Sequence, residues 1–178
     1  MMPRFARWSV HSRITTRPAV IDDAEAISAL LTANTSGQGG ALYGDWSVGV
    51  VTNWIAAGAL IIVATEGAWL AGVLFTSEKA QASAPPVLAM LQAWPGNADA
   101  YVYGPVCIDH AWRGKGVLEA LYEDLVARMP NREAVLFINA SNTRSLQAHA
   151  RLGLTPVAGF RLGGELFIVL SNRNPSAI

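Results

Sequence analysis

Cysteine is all but missing from this sequence: 178 residues hold one, Cys107. A single thiol excludes an internal disulfide and any cysteine-clustered metal site, which suits a reducing compartment, and a cytoplasmic setting is the expectation. Charge is scarce too. Lys plus Arg and Asp plus Glu each number 13, together 15% of the chain. With no net charge there is no long-range field to gather nucleic acid, so nucleic acid is excluded as a partner and any polyanion must be handled locally. Long apolar runs are also lacking. The composition is 52% hydrophobic, yet glycine or charge interrupts every stretch before the ~20 residues that a membrane helix needs, so no membrane partner is expected. Of three histidines, His11 and His110 have no ligand partner at metal spacing, and no metal is expected.

Repeats, low-complexity tracts and linker-like charge blocks are absent as well, so one domain is expected over residues 13–172. Residues 1–12 carry arginines but neither the apolar segment nor the small-residue cleavage site of a secretory signal, and read as a flexible arm; 173–178 read as a tail. The glycosylation sequons at Asn34 and Asn139 carry no weight without a signal peptide.

What the chain does have is an alternation of element types. A β-prone run over 13–17 ends at Pro18; Asp22 and Asp23 then offer caps for a helix through Leu31 whose apolar face is Ala26, Ile27, Leu30 and Leu31. A Gly-rich loop leads to a second helix, capped by Asp45 or Ser47 and ending near Gly58. Residues 60–65 and 69–76 flank Glu66-Gly67 as a hairpin. The stretch 80–97, with Pro85, Pro86 and a short helix over 87–94, is the candidate substrate-facing lid. A strand over 101–108, a helix over 114–129, a strand over 135–138, a helix over 142–152 and a hairpin of 157–162 with 166–170 complete an α/β domain on one mixed sheet.

The junction between the strand at 101–108 and the next helix carries the most chemistry. It reads Arg113-Gly114-Lys115-Gly116-Val117-Leu118. A helix N-terminus presents unpaired N–H groups and about half a positive charge, so it holds phosphate where glycine lets the backbone approach, and Arg113 and Lys115 add cations. The segment is neither a P-loop, because Gly114-Lys115 is followed by Gly116 instead of Ser or Thr, nor a GxGxxG dinucleotide turn.

Val106-Cys107-Ile108-Asp109 followed by Arg113-Gly114-Lys115-Gly116 resembles the acetyl-CoA signature of the GNAT N-acetyltransferases, an Arg/Gln-x-x-Gly-x-Gly/Ala turn after the central strand, with Leu118 in place of the final Gly or Ala. A second match is the spacing Asn142, Ser145, His149, Gly153, similar to the family's following helix, where His149 stands at the usual Tyr position. The resemblance implies a GNAT-like fold: a mixed, mostly antiparallel central sheet flanked by helices, with the two central strands splayed apart. It also implies acetyl-CoA as co-substrate, with pantetheine entering the gap after Val106 and pairing with the backbone of Val106 and Ile108. Cofactor contacts are then expected from Val106, Cys107, Ile108, Arg113, Gly114, Lys115, Gly116, Val117, Leu118, Asn142, Ser145 and His149.

On this reading an amine of a small molecule, peptide or protein attacks the thioester directly. A strand N–H steadies the developing oxyanion. Cys107 is the one conceivable thiol nucleophile, but strand alternation favours packing it in the core. His149 is the candidate general acid for the leaving thiolate, with a structural role as its alternative. The acceptor ammonium must also lose a proton; Glu66, Glu78, Asp109 and Tyr103 are the base candidates. Trp46, Trp54, Trp69 and Trp94 either line an acceptor pocket or supply core. A CoA-binding sensor without turnover is the alternative function, and a homodimer is a candidate assembly.

Overall fold

The computed structural model describes residues 13–38 and 40–173; the arm over 1–12 and the tail from 174 onward lie outside the described residues. The apolar runs form seven strands, β1 (Thr15–Pro18), β2 (Ile61–Glu66), β3 (Trp69–Glu78), β4 (Tyr101–Ile108), β5 (Ala134–Asn139), β6 (Thr155–Leu162) and β7 (Glu165–Ser171). The periodic stretches form α1 (Ala24–Thr32), α2 (Val48–Ala56), α3 (Pro85–Ala93), α4 (Val117–Arg128) and α5 (Thr143–Arg151). All strands join one sheet in the order β1-β2-β3-β4-β5-β7-β6. Every neighbouring pair is antiparallel except β4 with β5.

That exception makes the site. β4 and β5 pair only at Tyr101 with Ala134 and Val102 with Val135, then part. The cause lies in β4. Its register with β3 slips between Leu74↔Val106 and Thr76↔Tyr103, so that Gly104 and Pro105 together stand opposite Phe75. A bulge bends its strand, and a proline there has no N–H to continue a ladder. β5 meanwhile stays straight against β7 through Asn139. The splay expected from the family resemblance is therefore present, with a local sequence cause.

Alternation assigns the two faces of the sheet. Ile62, Leu74, Tyr101, Tyr103, Leu136 and Leu170 pack beneath Val117, Leu121 and Leu125 of α4, with Leu146 of α5 against the same cluster. On the other face Ile61, Val63, Val73, Phe75 and Cys107 meet α1 and α2, while Val102, Val135 and Val169 meet α3. Two helices cover one face and three the other.

The lid expectation for 80–97 is corrected. Pro85 and Pro86 occupy the first turn of α3, where a missing N–H costs nothing. Met90 is then buried completely in the cluster against β5 and β6. The C-terminal end is tied down by Glu133, which accepts from Trp94 Nε1 at 2.8 Å and from the Asn97 N–H at 2.7 Å. α3 is a fixed part of the core, because its apolar face has no other place to go. Boundaries shift slightly elsewhere: α4 begins at Val117, leaving Gly114 to Gly116 in the turn, and β6 begins at Thr155.

Candidate functional site

A cleft of about 800 Å³ occupies the splay and passes between β4 and β5. At its α4 end the backbone turns sharply: Gly114 has φ 72° and Gly116, the N-cap of α4, φ 80°. A Cβ at either position would meet nothing within 4 Å. Glycine is thus required by the left-handed conformation rather than by crowding. The first bond onto the α4 cap residue runs from the Ala120 N–H to Gly116 O, and no side chain caps the helix. Its leading N–H groups, from Gly116 to Glu119, have no partner within the helix, and these residues line the cleft. Arg113 adds a fixed cation, donating from Nη2 to Asn34 Oδ1 at 2.8 Å and from Nε to Ile108 O at 3.3 Å.

The β4 wall presents backbone that β5 no longer pairs. The Asp109 N–H donates to Ala71 O on β3 at 2.9 Å, and Cys107 is in register with Val73. Alternation therefore turns the backbone groups of Val106 and Ile108 toward the gap. Across the cleft, Asn142 caps α5 by accepting from the Ser145 N–H at 3.1 Å, which leaves its amide N–H groups for other partners. Orphan helix donors, an open strand edge and a polar wall carrying Arg144 and Arg151 suit an elongated ligand with an anionic end.

No family model matches the sequence, and no curated protein does. Solved structures do match. An N-acetyltransferase from Staphylococcus aureus superposes with a TM-score of 0.69 at 19% identity, covering 90% of this chain and 98% of that one. A putative acetyltransferase from Salmonella typhimurium, yncA, solved with acetyl-CoA, gives 0.67 at 19% identity, with 92% and 96% covered. A GNAT-family acetyltransferase from Bacillus cereus gives 0.67 at 14% identity, with 89% and 96% covered. This chain has the GNAT fold. Identities this low carry the fold alone.

Within this GNAT fold, several sequence-level expectations are redirected. His149 and Tyr103 are paired with each other. The Ser145 carbonyl, which can only accept, lies 2.8 Å from His149 Nδ1, so that nitrogen carries the proton; Nε2 then accepts from the Tyr103 hydroxyl at 3.0 Å. The ring is 3% exposed. Burial holds its pKa below the ordinary histidine value, although the bond to Ser145 acts the other way. The general-acid assignment for His149 is therefore corrected: the neutral ring keeps no N–H for a leaving thiolate. Tyr103 is corrected as a base, since burial pushes its phenol far upward and its O–H is given to His149.

The remaining base candidates are engaged or distant. Glu66 closes the β2–β3 hairpin opposite Trp69 and does not line the cleft. Glu78 pairs with Arg132 at 2.7 Å, and Asp109 accepts from the Ala111 N–H at 2.8 Å. Lys115, expected in the cradle, lies instead with Nζ 5.1 Å from the centre of the Trp112 ring, and its residue is not on the cleft wall. Cys107 is a wall residue, but its thiol faces Leu30 O at 3.9 Å in the α1 core, and burial pushes it up to about 11. Such a thiol is no nucleophile at neutral pH. Trp46 and Trp54 pack around Phe75, Trp94 is held by Glu133, and Trp69 is 75% exposed; none of the four lines the cleft.

Several wall residues escaped the sequence reading, among them Tyr43, Asn139 and Glu165. Tyr43 and Asn139 meet Glu165 across 122 and 26 positions, and the one motif among the three, the sequon at Asn139, does not point to a cleft. The only local signal was strand alternation, which puts Asn139 on the same face as Val135. Among the described residues no three of His, Cys, Asp and Glu gather as metal ligands, and no helix is long and apolar enough to cross a membrane.

Proposed function

We propose that this protein is an acyl-CoA-dependent N-acyltransferase that moves acetyl from acetyl-CoA to a primary amine by direct attack. The observation that carries the reading is the β4–β5 splay, with the bare N-terminus of α4 opening into it. The residues fit the co-substrate. The N–H groups of Gly116, Val117 and Leu118, with the Arg113 guanidinium, hold the pyrophosphate. Val106 and Ile108 pair with the pantetheine amides as an added strand would, and Asn142 and Ser145 contact its other side. Acetyl-CoA supplies an activated acyl group, so this chain's work is positioning and charge stabilisation.

A strand N–H of β4 steadies the carbonyl oxygen as negative charge grows on it, a kind of contact worth roughly 2.7–4 kcal/mol in other acyl-transfer sites. With His149 and Tyr103 engaged by each other, water in the open cleft delivers the proton to the departing sulfur and removes that of the amine. The same engagement favours the second reading, a CoA-binding sensor without turnover. Thiol release from acetyl-CoA with a panel of primary amines separates the two. Release that depends on the amine supports transfer, whereas acetyl-CoA binding with no release for any amine supports the sensor. An unchanged melting temperature with acetyl-CoA would overturn both.

A further inference from the structure

The residues that line the cleft come from both faces of the sheet, and their charges differ between the two. On the α4–α5 face stand the helix N-terminus, Arg144 and Arg151, with Glu119 as the one acid among them. On the opposite face the cleft is bordered by Tyr43 from the α1–α2 connection, Asn139 at the end of β5 and Glu165 at the start of β7. Asn139 Nδ2 donates to Glu165 Oε1 at 3.1 Å, and the Tyr43 hydroxyl donates to Oε2 at 3.3 Å. Asn139 cannot turn its amide around, because its Oδ1 already accepts from the Ser141 hydroxyl at 2.7 Å and the Ser141 N–H at 2.9 Å.

The carboxylate is thereby aimed but not neutralised. Its two braces are uncharged, and a carboxylate has about four acceptor sites, so roughly two stay open. Among the described residues the ion pairs are Arg17–Asp23, Arg128–Asp124 and Arg132–Glu78, none involving Glu165. Arg113 donates one N–H to Asn34 and one to Ile108 and forms no ion pair with Glu165 among the described residues. A fixed anion on the face opposite the phosphate cradle attracts a cation and repels a carboxylate.

From this geometry we infer that Glu165 is the acceptor-recognition residue, and that it selects amines carrying a second positive charge, the diamine class, over amines carrying a carboxylate. The inference rests on the acyltransfer reading above and names its acceptor. Cadaverine and ε-aminocaproate make a matched pair of probes, with the same five-methylene spacer and amine but opposite second charge. Their dissociation constants are measured by titration calorimetry on the wild type, with and without saturating CoA.

Cadaverine binds the wild type at least about tenfold more tightly than ε-aminocaproate, the size expected of one charge-assisted hydrogen bond. Glu165→Gln removes the preference, and Glu165→Lys reverses it. Equal affinities in the wild type, no cadaverine binding, or a preference that survives Glu165→Gln overturns the inference. Acetyl-CoA affinity, measured on the same proteins, tests the cofactor site separately: it stays unchanged in Glu165→Gln, and its absence from the wild type would remove the cofactor site without deciding the cadaverine result.

Discussion

His149 sits between a carbonyl that can only accept and a phenol that donates to it, an arrangement that holds for the neutral ring alone. A second ring proton would face the Tyr103 O–H across 3.0 Å in a site that is 3% exposed. Burial lowers the folded-state pKa below the 6.5 at which the ring titrates in an unfolded chain. Below that value the unfolded chain takes up the proton and the folded protein does not. Stability is therefore lost as pH falls from 6.5 toward the folded pKa, and is independent of this group above it. One group can contribute no more than about 1.4 kcal/mol per pH unit, equivalent to roughly 2–4 °C for each kcal/mol in a domain of this size.

Urea unfolding between about pH 7.5 and 5.5 reads this slope, and the same series on His149→Phe should lack it. The two carboxylates that the fold displaces move away from this window. The Arg17 hydrogen bond holds Asp23 below its ordinary value, and bonds from Trp94, Ser171 and Asn97 outweigh burial to do the same for Glu133. Both protonate at lower pH. His149→Phe also leaves the Tyr103 hydroxyl buried without its acceptor, at a cost of about 1–3 kcal/mol, and adding Tyr103→Phe should return part of it. Wild type and His149→Phe losing stability in parallel on acidification, or a double variant no more stable than the single, would refute the pairing.

Two other outcomes follow from the same structure. Gly116→Val forces a β-branched residue to φ 80°, costing about 1–2 kcal/mol in the turn itself, and acetyl-CoA should then give a smaller rise in melting temperature; an unchanged dissociation constant would remove the cradle from the mechanism. Met90→Ala should lower stability by about 2–5 kcal/mol while acetyl-CoA affinity holds, because α3 is core and not lid; altered affinity with little loss of stability would return it to the cleft.

The amino-acid sequence by itself determined what depends on neighbours along the chain. Gly114 and Gly116 are legible because a left-handed turn into a helix asks for glycine locally. Asn142 three residues before Ser145 is legible as a motif at the head of a helix, whereas its capping bond, and the bulge at Gly104-Pro105 beyond which β4 leaves β5, came from the structure. The strand and helix order follows from periodicities of two and 3.6 residues. Only the tertiary structure decided what depends on distant segments meeting. Tyr103 reaches His149 across 46 positions and takes the nitrogen that the motif alone would have offered to a thiolate. Tyr43 reaches Glu165 across 122. The proline-led segment before β4 looked like a lid because polarity and turn residues are visible in sequence, while the complementary surface of β5 and β6 that receives Met90 is not. Hydrogen-bond partnership and burial are set by the packing of the sheet's faces, and no pattern within one segment records them.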